Sequence, residues 1–361
     1  MAEAGVFYGH PALAAITLNQ GGDGIAYAGL LLERALSRIA NEDVPVLELA
    51  PARPMHPTAL EQLRFTARLG YAQLRERDRI WMFNHVGIAR AQNVLPSFVR
   101  RPYGVLLCGI EAWDPSLSSE RLTTLRRATA RIAISRHTAN RVAQAHASIG
   151  PIVACPLALL PTTPYAPTLD HALLGQIRDL SVLIVGRMSA AERYKGHDEL
   201  LECWSAVKME VPGAQLVVAG QGDDLTRLKA KAESLGLAHD VLFLGFVSDA
   251  TLEAVRERAA LFALPSRGEG FGLVYLDAMR AGLACIGGAG DASADVILDG
   301  ETGTLVDPED RAALAAAIIA LLKSPAKRGQ YGEAGKRRFE AEFTFERYCD
   351  RLQPILAAAF S

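Results

Sequence analysis

Four loops in this sequence gather glycines, cations and acids at spacings that suit anion and sugar chemistry. The densest runs Ser266-Arg267-Gly268-Glu269-Gly270-Phe271-Gly272-Leu273 and continues through Asp277 to Gly282. It follows the apolar run Leu261–Leu264 and opens a helix. Three glycines in five positions let the backbone turn tightly and approach a ligand closely. The first N–H groups of that helix, near Phe271, Gly272 and Leu273, form an anion site. Glu269 lies in the loop, and Asp277 follows eight residues on, about two turns into the helix. A carboxylate beside a phosphate-binding turn is electrostatically costly unless it hydrogen-bonds something specific, and sugar hydroxyls are natural partners. The same residues also suit a plain strand–turn–helix connection with solvated acids.

The second loop, Val185-Gly186-Arg187 through Lys195-Gly196-His197, also follows a strand-like run. Arg187 offers a fork and Lys195 a point charge, so together they can clamp a diphosphate. Either could equally be a solvated loop cation. His197 reads as a helix-start residue. The third, Asn19-Gln20-Gly21-Gly22-Asp23-Gly24, resembles a phosphate-cradling turn but breaks the dinucleotide pattern at Tyr27. The fourth, Phe83-Asn84-His85-Val86-Gly87, puts an imidazole at a strand end, where it serves either a ligand or the local structure.

These loops need elements to carry them. Apolar runs at Leu13–Leu18, Val44–Leu49, Ile80–Phe83, Gly104–Leu107, Ile132–Ile134 and Ile152–Ala154 form a first series. Ser181–Val185, Gln215–Ala219, Val241–Leu244, Leu261–Leu264 and Ala284–Ile286 form a second. Continuous apolar runs of this length suit parallel strands buried on both faces. Amphipathic stretches such as Ile25–Ile39 and Ala191–Val207 lie between them, with an Ala-rich helix at Arg311–Leu322. Strand and helix in alternation mean parallel sheets flanked by helices. Pro156, Pro161, Pro164 and Pro167 mark a linker, followed by one helix at Leu169–Leu180. The expected fold is therefore α/β, with two Rossmann-like doubly wound parallel-sheet domains facing across a cleft and ligands bound at the carboxyl ends of their strands.

Composition agrees with two domains. The chain has 361 residues, 50 % apolar and 22 % charged, which excludes a coiled coil or a disordered chain. Its net charge of −2 conceals a split. Residues 1–160 hold 17 Arg, no Lys and 12 acids, whereas residues 161–361 carry a net −7. No signal sequence or membrane span is expected. The five scattered cysteines suggest neither disulfides nor a zinc site, so a reducing cytoplasm is the expected compartment.

Taken in order, VGRMSAAERYKGHDELL, VVAGQGDD, VLFLGFVSDA, ALPSRGEGFGLVYLDAMRAGLACIG and GETGTLVDPED resemble the retaining glycosyltransferases of family 4, which have the GT-B fold. The resemblance implies an acceptor-binding domain at 1–160, joined by a terminal helix at 344–361, and a donor-binding domain at 161–343. By the same resemblance, Arg187 and Lys195 would hold the donor diphosphate. Glu269 would contact the transferred sugar, and Phe271, Gly272 and Leu273 would offer N–H groups. Asp277 would meet the ribose, Phe246 and Val247 would line the base, and Gly21 and Gly22 would close over the phosphates.

Two positions depart from the pattern. The second acid is Asp277 where the family has Glu, one methylene longer. Cys108, in Leu107-Cys108-Gly109-Ile110-Glu111, stands where relatives often carry His. A thiol cannot replace an imidazole, so either His85 supplies it or the site works without one. Cys108 and Glu111 are pocket candidates on the acceptor side.

The implied activity moves a hexose from a UDP- or GDP-linked donor to a glycan, lipid-linked or small-molecule hydroxyl, with retention. Glu269 and His85 are the candidate catalytic residues. No cofactor or catalytic metal is expected, because no Asp-x-Asp appears and fixed cations can stabilise the leaving diphosphate. A non-catalytic nucleotide-sugar-binding subunit is the alternative reading. A phosphorylase, an epimerase and an NAD-dependent dehydrogenase fit less well. Arg100, Arg101, Arg121, Arg126, Arg127, Arg131, Arg136 and Arg141 make the first half basic, either as a solvated surface or for peripheral contact with an anionic membrane at the inner face of the cell. No nucleic-acid motif accompanies them.

Overall fold

The computed structural model describes residues 7, 9–18, 24–52, 57–161 and 169–360. The chain divides into two compact units, one comprising Met1–Leu160 with Phe343–Ser361 and the other Pro161–Glu342.

The first unit holds β1 (His10–Ala15), β2 (Val46–Glu48), β3 (Arg79–Phe83), β4 (Tyr103–Leu107), β5 (Ala130–Ala133) and β6 (Val153–Ala154). They form one sheet in the order β2-β1-β3-β4-β5-β6, and every pairing is parallel. The strand order reverses between β1 and β3, so the ligand-binding switch point lies there. The core beneath it packs Phe65, Leu69, Trp81, Phe83, Val105 and Leu107.

The second unit holds β7 (Ser181–Val185), β8 (Gln215–Ala219), β9 (Val241–Gly245), β10 (Leu261–Leu264), β11 (Cys285–Gly288) and β12 (Gly303–Val306). Its order is β12-β11-β10-β7-β8-β9, again all parallel. This is the dinucleotide-fold order, and its switch point lies between β7 and β10. Continuous burial on both faces explains why the bounds of β7, β8 and β10 coincide with the apolar runs.

Several expectations need correction. The first strand begins at His10 and ends at Ala15, because Ile16 and Leu18 turn their N–H groups to the side chains of Asn84 and Glu48 instead of to the sheet. Strand β12 had no counterpart in the expected series: it is a four-residue edge strand with a half-buried middle. Ala191–Val207 is not one helix. A 3₁₀ segment Ala190–Lys195 ends at Gly196, whose φ of 89° is left-handed, and an α-helix His197–Glu210 restarts there. A Cβ on Gly196 would lie 2.6 Å from the Pro265 carbonyl oxygen, so both space and φ demand glycine. Leu169–Leu180 shrinks to the single turn His171–Leu174, started by the Asp170 cap and closed at Gly175. The stretch read as a linker is partly core: Leu157, Ala158 and Leu159 are buried, and Leu159 pairs with Thr344. Its remainder, residues 162–168, lies outside the described residues.

Candidate active site

The second unit's switch point carries the two densest loops of the sequence, side by side. The loop after β7 is pinned by the segment after β8. Gly186 donates its N–H to Ala219 at 3.0 Å, and Met188 donates to Gln221 at 3.1 Å. A Cβ on Gly220 or Gly222 would fall 2.0 Å from the carbonyl oxygens of Gly186 and Met188, so the two segments touch backbone to backbone. Arg193 grips Asp224 through two bonds, at 2.9 and 3.1 Å. Arg267 N–H donates to the Tyr194 carbonyl at 2.9 Å, which ties this loop to the one after β10.

On this base stand the two expected cations. Both meet one acid: Arg187 Nη2 lies 3.0 Å from Glu192 Oε1, and Lys195 Nζ lies 3.2 Å from Glu192 Oε2. The loop after β10 is held by Asp291, which follows β11. Asp291 is 3 % exposed. One of its oxygens accepts from the Ser266 hydroxyl and from the Glu269 N–H at 2.9 Å; the other accepts from the Ser293 N–H at 2.9 Å. Gly288 must be glycine here, since its Cβ would lie 1.9 Å from the Ser266 carbonyl oxygen.

Burial pushes the Glu269 carboxyl above its ordinary range, and Asp291 and Glu192 push the same way while Lys195 opposes them. A helix Leu273–Arg280 begins directly after this loop, with Gly272 as its left-handed cap at φ 88°. Its leading N–H groups at Gly272 and Leu273 lack partners within the helix, and Phe271 is buried at its base.

Arg187, Lys195, Glu269 and the helix start thus share one edge of one sheet. Phe246 and Val247 stand on the same edge after β9, where Phe246 is 76 % exposed. Asp277 lies farther along the same helix. It is one turn, not two, into the helix, because the helix starts only at Leu273. Its carboxylate meets Arg280 at 3.0 Å and Arg256 at 3.4 Å. Gly21 and Gly22 lie outside the described residues.

The first unit's switch point carries His85. Asn84 ties β1 to β3 by accepting the Ile16 N–H at 3.1 Å. His85 caps the turn Val86–Ala89, its Nδ1 accepting from Gly87 N–H at 2.9 Å, which places the proton on Nε2. That Nε2 is buried and meets no partner among the described residues. Burial, reinforced by Arg121 and Arg90, lowers the His85 pKa to about 4, so the imidazole is neutral at pH 7. Cys108 bridges the neighbouring strand ends: its thiol faces the Asn84 carbonyl at 3.6 Å, and its N–H donates to Glu111 Oε1 at 2.6 Å. Glu111 is pushed up by burial against the N–H groups and Arg121 that favour its charge. His197 begins its helix as expected and is also buried, with its pKa lowered to about 4 mainly by desolvation.

These two imidazoles make a pH prediction. Each takes a proton more readily unfolded than folded. Stability is therefore full above pH 6.5 and is lost as pH falls through the window from 6.5 to about 4. The loss approaches about 3 kcal/mol for each imidazole. Denaturant melts at pH 7 and 4.5 should show it, and His85→Asn should shrink the difference.

The arginines of the first half are not one solvated surface. Arg131 is buried and donates to the carbonyls of Leu125, Ala128 and Pro151. Arg100 and Arg101 likewise bond to nearby carbonyls, and Arg141 stacks on Trp113 at 5.3 Å. Sequence reasoning also missed Asp291 and Glu192, the two acids that organise the second unit's loops.

Two doubly wound parallel sheets, one presenting paired cations, an acid and a helix start at its switch point, define the GT-B class of glycosyltransferase fold. Residues 178–338, within the second unit, match the family model described as glycosyl transferases group 1. The chain is 32 % identical over 218 residues to a GDP-mannose-dependent alpha-(1-6)-phosphatidylinositol monomannoside mannosyltransferase of Mycolicibacterium smegmatis, covering 56 % of this chain and 55 % of the relative. It is 38 % identical over 156 residues to a phosphatidyl-myo-inositol mannosyltransferase of Mycobacterium leprae, covering 43 % and 40 %. The chain thus spans about half the length of the curated relatives it matches. Among solved structures, sucrose-phosphate synthase from Thermosynechococcus elongatus superposes with TM-score 0.78 at 20 % identity, covering 95 % of this chain and 97 % of that one. Anabaena HepE in complex with UDP does so with TM-score 0.73 at 17 % identity, covering 94 % and 98 %. At such identities the likeness is one of fold.

Proposed function

We propose that this protein transfers a hexose from a nucleotide-diphosphate sugar to an acceptor hydroxyl, with retention of configuration and without a catalytic metal. The observation that carries the proposal is the convergence of Arg187, Lys195 and the helix start after Glu269 on one switch point. The barrier lies in departure of the diphosphate from an oxocarbenium-like carbon. Two cations and a row of N–H groups stabilise the charge that grows on the leaving group, which is the service a divalent ion performs elsewhere. Glu269 orients the sugar. Phe246 lies three strand spacings from β10, about 14 Å, a span that an extended nucleoside diphosphate sugar bridges from base to hexose. The matched mannosyltransferase favours GDP-mannose as the donor to test first, followed by UDP sugars.

Chromatography or ³¹P spectroscopy of nucleotide release across a donor and acceptor panel, with EDTA and an NMR reading of the product anomer, tests each part. No release with any pair overturns the transferase reading. Calorimetric binding of a donor without turnover would support the non-catalytic binding subunit instead.

For the acceptor, the proposal includes peripheral contact with an anionic bilayer. The helix Ala59–Arg75 exposes Leu60, Leu63, Tyr71 and Leu74, of which Leu63 is 65 % exposed. At 100° per residue the four fall within an arc of about 80°, and Arg64, Arg68 and Arg75 run beside them. That is the pattern of a helix lying in a membrane interface. Among the described residues no helix is long and apolar enough to cross a membrane. Co-sedimentation with phosphatidylglycerol vesicles should exceed that with phosphatidylcholine and fall several-fold in Leu63→Glu. Equal, negligible binding to both removes this part.

A further inference from the structure

We propose that Glu192 is a built-in placeholder for the donor's diphosphate; this rests on the reading of Arg187 and Lys195 as the diphosphate clamp. Its two carboxylate oxygens divide between the two cations, at 3.0 Å to Arg187 and 3.2 Å to Lys195. A diphosphate needs the same two partners, and it cannot share them with a carboxylate without like charges meeting.

The position of Glu192 is built rather than incidental. Ser189 opens the turn by accepting the Glu192 N–H on its carbonyl at 2.9 Å. Glu192 then departs from helical geometry, at φ −121° and ψ 30°, inside the 3₁₀ segment. The next residue, Arg193, is fixed to Asp224 by its fork. The backbone that carries Glu192 is therefore held on both sides. Among the described residues no other ion pair or hydrogen bond holds its side chain, so displacing it breaks only its contacts with the two cations.

Two consequences follow. Without donor, Glu192 keeps both cations oriented and partly neutralised, so a phosphate must displace it. After transfer, the same carboxylate competes for the cations with the nucleoside diphosphate left behind and so speeds its release. A purely structural Glu192 would do neither.

Glu192→Gln keeps size and removes charge. Calorimetry with GDP, UDP and pyrophosphate should show binding about two- to fivefold tighter than wild type, the scale of one partly exposed charge pair. The donor KM and the inhibition constant of the diphosphate product should fall together, and kcat should not rise. Glu192→Asp, too short to span both cations, should fall between the two. Unchanged or weaker binding in Glu192→Gln overturns the proposal, and if that variant does not fold, Glu192→Asp decides on the same criterion. Arg187→Ala separates this result from the reading beneath it. If wild type binds a nucleoside diphosphate, Arg187→Ala loses it and Glu192→Gln gains nothing, only the placeholder fails. If folded wild type binds none, the clamp itself fails.

Discussion

Glu269→Ala is expected to lower kcat by about 10²- to 10³-fold, the range seen when one positioned polar contact to the transition state is removed, while leaving nucleoside diphosphate affinity within a factor of about two. The side chain stands at the sheet edge that carries Arg187 and Lys195, and the loop is fixed by the Glu269 backbone N–H, not its carboxylate. The substitution therefore leaves the loop's anchor intact. The carboxyl is raised by burial and by two neighbouring acids, with Lys195 opposing. Glu269→Gln separates charge from hydrogen bonding. If the acid only orients sugar hydroxyls, Gln should keep much of the activity that Ala loses. If its negative charge supports the oxocarbenium-like carbon, Gln should resemble Ala. Single-turnover assays at saturating donor read this directly, and turnover within threefold of wild type for Glu269→Ala would remove the acid from the reaction.

The second large effect is expected at Asp291, which touches no proposed substrate atom. Asp291→Ala leaves the Ser266 hydroxyl and the N–H groups of Glu269 and Ser293 without their acceptor. Stranding such donors costs about 1–3 kcal/mol each where they stay dry. A loss of about 3 kcal/mol or more should appear in chemical denaturation. Because the Glu269 loop hangs from this carboxylate, turnover should fall by more than the unfolded fraction explains. Asp291→Asn keeps one acceptor oxygen and should recover part of both losses. A variant with wild-type stability would show that the loop is anchored elsewhere.

The difference between Glu269 and Asp291 also marks what was legible beforehand. Glu269 sits among glycines at a spacing that announces a loop before a helix, directly after a buried strand. Arg187 and Lys195 flank a strand end in the same way. Parallel strands buried on both faces read as continuous apolar runs, so β7, β8 and β10 were visible to the residue. Asp291 lies in Gly-Ala-Gly-Asp-Ala-Ser, where nothing local distinguishes an anchor from a solvated turn; only the approach of β11 to β10 reveals it. Glu192 precedes Lys195 by three positions and reads as an ordinary helix pair until the 3₁₀ segment is seen to bend it toward Arg187 as well. Arg131 failed in the opposite direction, since a cation in a basic stretch gives no sign that it will be buried against carbonyls. Strand β12 had too few apolar residues to stand out, as befits an edge.

One feature of the chain's path bears on how the protein is made. The helix Phe345–Phe360 belongs to the first unit, where Tyr348, Leu352 and Leu356 are fully buried and Arg351 bonds the Pro156 carbonyl at 2.8 Å. The residues that begin this unit leave the ribosome before the second unit, but the helix that completes its interior leaves after it. The second unit has all its strands in hand before that moment. Biosynthesis therefore reverses the usual order: the later-made unit can close while the earlier one still waits, with part of its apolar interior uncovered, for the helix that follows that unit.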